Sequence, residues 1–166
     1  MKAHEIITPT NHPKIALNHI LIDEANIVST DTIMLLTTPH NEDVSEKMLV
    51  INSKAKVVIT AEGLYNNKPI NNTLAKQSYP NYQQLIAQKK NYSYTEHKGN
   101  LIDTLYHITA TTSWMCDYIK LSTKLNKLNK ALPKVTSYLF REKTLPIQIK
   151  FEDGSLFILM PYINIV

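Results

Sequence analysis

Four leucines, Leu121, Leu125, Leu128 and Leu132, recur at spacings of four, three and four. That period puts them on one side of an α-helix, and a helix with one apolar stripe must bury it against another layer. Five lysines keep step with them: Lys120, Lys124, Lys127, Lys130 and Lys134, spaced four, three, three and four. They fall on an adjoining face, so the leucine side packs and the lysine side meets solvent. The spacing predicts a helix from about Thr123 to Leu132. Pro133 stops it, because proline disfavours helical backbone at the residue before it. A second stripe, Leu101, Ile102, Leu105 and Ile108, predicts a helix from Asn100 to about Thr109. Asn100 can cap it, and Asp103 complements the dipole in its first turn.

Around these helices the chain reads as strands. Lys14–Ile22 and Ala25–Thr30, joined by a tight turn at Asp23-Glu24, suggest a hairpin. Thr32–Thr38 and Lys47–Ile51 follow as strands, with a loop from Pro39 to Asp43. Lys56–Thr60 is strand or short helix, a choice that periodicity over so few residues leaves open. Residues 65–78, with four asparagines and Pro69, are turn-rich and suit an irregular strand or hairpin. A strand is expected near Asp117–Leu121, and three more at Val135–Phe140, Pro146–Phe151 and Leu156–Ile163. Asp153-Gly154 supplies the turn between the last two. The expected fold is therefore α+β: antiparallel sheet with helices packed on one face.

Several classes of chemistry find no support. The chain has three glycines in 166 residues, too few and too scattered for a phosphate loop or a dinucleotide fingerprint. The six histidines, His4, His12, His19, His40, His97 and His107, form no metal-ligand spacing. Ser29, Thr30 and Asp31 adjoin, but no nucleophile elbow surrounds them, and Asp31 suits a turn cap instead. No catalytic residue, metal or cofactor is implied, and a non-enzymatic protein is expected. The single cysteine, Cys116, lies among bulky apolar residues and reads as a buried thiol in a reducing, cytoplasmic setting. The first residues lack the apolar core of a secretory signal, and no apolar run is long enough to span a membrane.

Charge divides the chain. Residues 1–62 carry five lysines against eight acids, a net of −3, while residues 63–166 carry thirteen basic residues against six acids, a net of +7. A basic half is the footprint that phosphate binding requires, although a solvated lysine-rich surface gives the same count.

Three short motifs stand in order. Val28-Ser29-Thr30-Asp31-Thr32-Ile33-Met34-Leu35 comes first, Ser78-Tyr79-Pro80-Asn81-Tyr82-Gln83-Gln84-Leu85-Ile86 second, and Ile158-Leu159-Met160-Pro161-Tyr162 last. They resemble the Thr-Asp turn, the connector between the middle and last domains, and the Met-Pro tail of the bacterial DNA sliding clamp, the β subunit of DNA polymerase III. Residues 1–90 resemble parts of the clamp's middle domain and residues 91–166 its C-terminal domain, the two able to form one compact unit. A full clamp subunit has three such domains and more than twice this length. Its first domain, and the opening helix of its middle domain, have no evident counterpart here.

The resemblance implies two sites. In clamps, partner proteins insert a short apolar peptide into a pocket on the last two domains. Carried over by motif position, that pocket is Thr30, Thr32, Ile33, Leu35, Pro80, Gln84, Leu85, Ile158, Met160 and Pro161. Departures are clear: Thr32 stands where the family has glycine, Ile33 where it often has histidine, and Met34 and Gln84 where it has basic residues. In clamps, helices line the bore and meet DNA without sequence preference. Here Lys120, Lys124, Lys127, Lys130 and Lys134 would do so, with Asn126 and Asn129 adding hydrogen bonds. The implied function is a processivity or recruitment factor on double-stranded DNA in replication or repair. Its partners would be a polymerase or other clamp-binding proteins, and it would assemble as a homo-oligomer away from membranes. The alternative is a clamp-fold interaction module that binds partner peptides without encircling DNA.

Overall fold

The computed structural model describes residues 2–41, 48–51, 58–59, 64–65, 68–69, 79–87 and 89–163. Among these residues nine strands form one sheet: β1 (His19–Ile22), β2 (Asn26–Thr30), β3 (Met34–Pro39), β4 (Met48–Ile51), β5 (Val58–Ile59), β8 (Ser93–Gly99), β9 (Val135–Phe140), β10 (Ile147–Phe151) and β11 (Leu156–Leu159). Their order is β5-β4-β1-β2-β3-β11-β10-β9-β8, and every pairing is antiparallel. A separate pair, β6 (Leu64–Tyr65) and β7 (Lys68–Pro69), makes a short hairpin. The rest of the turn-rich stretch 65–78 lies outside the described residues, as do parts of the predicted segments at 39–43, 47–51 and 56–60.

Side chains alternate across the sheet with period two. On one face Met34, Leu36, Ile147, Ile149, Phe151, Phe157 and Leu159 join the main core. Three helices cover that face: α1 (Lys2–Ile7), α2 (Leu101–Thr112) and α3 (Tyr118–Ala131). Leu101, Leu105 and Ile108 of α2 and Leu121, Leu125 and Leu128 of α3 are buried there, with Trp114 between the helices. Leu35 and Ile158, one residue out of phase, point to the opposite face and form a second cluster with Leu21, Val28 and Tyr82. The α+β reading and the one-sided helices are observed.

Four local expectations need correction. No strand runs through Asp117–Leu121. Asp117 is the N-cap of α3, its carboxylate accepting from the Lys120 amide at 3.0 Å, so the helix starts at Tyr118 rather than near Thr123. The strand predicted from Lys14 begins only at His19, after a 3₁₀ turn over Ile15–Asn18. Strand β8 is unpredicted because Ser93–Gly99 has no apolar alternation. It is a sheet edge with little to bury. No helix is predicted near the N-terminus, yet α1 packs on α3, β2 and β3, burying Ala3 and Ile7.

Candidate functional site

The turn between β2 and β3 is built from its own side chains. One Asp31 carboxylate oxygen accepts from the amides of Ile33 at 3.0 Å and Met34 at 2.8 Å, an Asx turn. The Thr30 hydroxyl donates to the Met34 carbonyl at 2.7 Å and accepts from the Thr32 amide at 3.1 Å. This geometry forces Thr32 to φ 77°, in the left-handed region that favours glycine. That is the physical reason the related motif carries glycine there. The other Asp31 oxygen receives Lys124 Nζ at 2.6 Å. The turn is thus tied to α3.

The tail meets this turn directly. Leu35 pairs with Ile158 across β3 and β11, and the Met160 amide donates to the Ile33 carbonyl at 2.9 Å. The connector arrives on the same outer face through its tyrosines. Tyr82 is 4% exposed, and its hydroxyl donates to Asp23 Oδ2 at 2.5 Å while accepting from Asn26 Nδ2 at 3.3 Å. Burial first, and then the bond to the Asp23 carboxylate, push the Tyr82 phenol above its usual range. The Tyr79 hydroxyl donates to the Val28 carbonyl at 3.4 Å, and Ala87 donates its amide to Gln148 Oε1 at 2.9 Å. Tyr79 and Ile86 pack against the Leu35–Ile158 cluster.

So the structure brings Thr30, Ile33, Leu35, Ile158 and Met160 together, with Pro161 next in the chain. Thr30, Leu35 and Ile158 are buried, Ile33, Pro80, Met160 and Pro161 half-buried, and Thr32 exposed. Gln84 and Leu85 turn elsewhere: they line a neighbouring cavity of about 310 Å³ with Asn91, Tyr92 and Arg141, which Ile86 borders as well. The residues that seat the connector, Tyr79, Tyr82, Ile86, Leu21 and Val28, are absent from the sequence-derived set. The signal for them was the tyrosine on either side of Pro80-Asn81.

The lysine face is partly spent. Lys120, Lys127, Lys130 and Lys134 are exposed, and the buried leucines of α3 leave the first three pointing away from the sheet, while Lys134 follows the helix just before β9. Lys124 is 39% exposed and held by Asp31, so its charge is already compensated. Asn129 is occupied too, accepting from the Ile102 amide at 3.0 Å at the start of α2. Asn126 is exposed.

Other polar groups read as structure. His4 is buried, with Nδ1 2.9 Å from Ser29 Oγ and Nε2 2.9 Å from Thr38 Oγ1, and Thr38 Oγ1 lies 2.9 Å from Ser155 Oγ. Burial drives its pKa down to about 3, so the ring is neutral and offers one donor and one acceptor. Cys116 is buried, and desolvation pushes its thiol up to about 11, away from thiolate chemistry. Among the described residues no group of three His, Cys, Asp or Glu side chains is placed to hold a metal. No helix among them is long and apolar enough to cross a membrane.

No family model and no curated protein sequence matches the chain. Solved structures do. A DNA polymerase sliding clamp from Pseudomonas aeruginosa with ligand superposes at TM-score 0.63 and 9% identity, over 97% of this chain and 62% of the clamp. The beta subunit of DNA polymerase from Streptococcus pyogenes gives TM-score 0.60 and 11% identity, over 97% and 63%. A sliding clamp from Caulobacter crescentus gives 0.62 and 11%, over 97% and 61%. At this identity the likeness establishes a sliding-clamp fold, and the chain spans less than two thirds of each clamp's length.

Proposed function

We propose that this protein is a non-enzymatic sliding-clamp-like factor that associates with double-stranded DNA and recruits replication or repair proteins to it. The observation that carries the reading is the clamp fold over 97% of the chain, with exposed lysines on the helix layer. Lys120, Lys127, Lys130 and Lys134 are flexible point charges suited to phosphates and not to base edges, so binding is indifferent to sequence. Partner proteins, a polymerase among them, dock short apolar peptides where the Thr30–Leu35 turn, the connector and the Met160–Pro161 tail converge. Of the set carried over from the motifs, Thr30, Thr32, Ile33, Leu35, Pro80, Ile158, Met160 and Pro161 form this docking site, extended by Tyr79 and Ile86, while Gln84 and Leu85 line the neighbouring cavity. A ring then needs several copies in closed symmetry, and β8, an edge strand with open backbone groups, is available for joining them.

A second reading, a clamp-fold module that binds peptides without enclosing DNA, is favoured by one observation. Lys124 and Asn129 are committed to partners within the chain, which thins the phosphate-binding face. Retention on closed circular DNA against linear DNA separates the two readings. A ring stays on the circle and runs off free ends. Equal retention on both, or a monomer by light scattering with DNA present, rules out encirclement.

A further inference from the structure

The cavity beside the connector contains Arg141, the chain's single arginine. Among the described residues its guanidinium has no carboxylate partner. Glu142, next in sequence, instead accepts from its neighbour Thr144 Oγ1 at 3.1 Å. The Gln84 and Asn91 amides and the Tyr92 phenol line the same space, and among the described residues no acidic one does. Leu85, 44% exposed, adds an apolar wall. A rigid guanidinium fork ringed by donors fits a planar oxyanion, above all a carboxylate held by two parallel hydrogen bonds.

The position of the cavity decides between a nucleic acid and a protein as the source of that anion. The connector lies on the outer face, over Leu35 and Ile158, with Ala87 fixed to Gln148. The lysines of α3 lie beyond the opposite face, so a duplex held by them is across the sheet from Arg141. We propose that the cavity is a second recognition point for partner peptides: Arg141 takes the carboxylate of an acidic residue, and Leu85 packs an adjacent aliphatic side chain. The proposal rests on the peptide-docking reading above, but not on DNA association.

The test is a titration of the isotope-labelled full chain, followed by NMR, with acetyl-Leu-Asp-amide and its uncharged analogue acetyl-Leu-Asn-amide. The acidic dipeptide should shift the backbone amides of Ala87, Asn91 and Tyr92 and the Arg141 side-chain signal. The analogue, having lost the charge-assisted bond, should bind at least about tenfold more weakly. Arg141→Gln should weaken the acidic dipeptide by a similar factor and leave the thermal midpoint unchanged, because Arg141 is exposed and unpaired. Equal binding of the two dipeptides, or an unchanged affinity in the variant, overturns the proposal. So does a thymidine oligonucleotide that shifts the same signals at lower concentration, which would assign the cavity to nucleic acid. Duplex binding left unchanged in lysine variants would sink the DNA-association reading and leave this titration untouched.

Discussion

Thr32 holds a β-branched side chain at φ 77°, with the turn around it fixed by Asp31 and Thr30. A left-handed L-residue costs about 1–2 kcal/mol, and glycine's extra freedom in the unfolded chain returns roughly 0.5–1 of that. Thr32→Gly should therefore stabilise the protein by about 0.5–1 kcal/mol, read as a higher urea midpoint, while Thr32→Val should not. His4 makes a different prediction. Its pKa falls from 6.5 in the unfolded chain to about 3 on folding, so the unfolded state binds the extra proton. The stability it contributes is fully present above pH 6.5 and is lost as pH falls toward the folded value. By about pH 5 the loss from this residue is ~2 kcal/mol. His4→Gln should remove that part of the slope between about pH 6.5 and pH 5 in urea titrations. An unchanged slope would place the dependence on other groups, such as His97, whose pKa is lowered by burial and by the stacked His107.

At the scale of elements, α3 is where the sequence was most legible. Its leucine period alone requires a buried stripe, and Leu121, Leu125 and Leu128 are buried. The lysine period is equally plain, yet it says nothing of Asp31, which lies 93 residues away from Lys124 in the chain. That ion pair changes the expected salt dependence. Each free lysine that meets a phosphate adds about 0.9 to the slope of log affinity against log salt. Replacing Lys127 and Lys130 with Gln should flatten the slope by about two units on unrelated duplexes, whereas Lys124→Gln should change it by less than one. Anisotropy titrations across a salt series measure both. Equal effects at all three positions would mean that the Lys124–Asp31 pair opens on DNA. Strand β8 shows the opposite limit: Ser93–Gly99 carries no apolar alternation, because an edge strand under α2 buries little of itself.

For the whole molecule, the sheet runs without a break from the first part of the chain into the second through β3 and β11. The helix layer is shared as well, since α1 packs on α3. With both layers in common, residues 1–90 and 91–166 should unfold together. Trp114, fully buried and the only tryptophan, reports on the second part alone, while far-ultraviolet dichroism reports on both. Coincident urea midpoints by the two probes are expected. Separate midpoints would restore two independent domains.

What the sequence determined by itself was local and periodic. The two amphipathic helices, the closing hairpin at Asp153-Gly154 and the Asx turn at Asp31 follow from spacing, capping chemistry and backbone preference, each confined to a few neighbouring residues. Tertiary structure decided what depends on contacts between distant residues. The Tyr82–Asp23 bond spans 59 positions and seats the connector, and the pairing of Leu35 with Ile158 brings tail and turn together. Only the folded sheet turns Gln84 and Leu85 toward Arg141 and away from the cluster that Tyr82 and Ile86 join. No periodicity reports such choices, because they arise from which faces remain uncovered once the main core is packed.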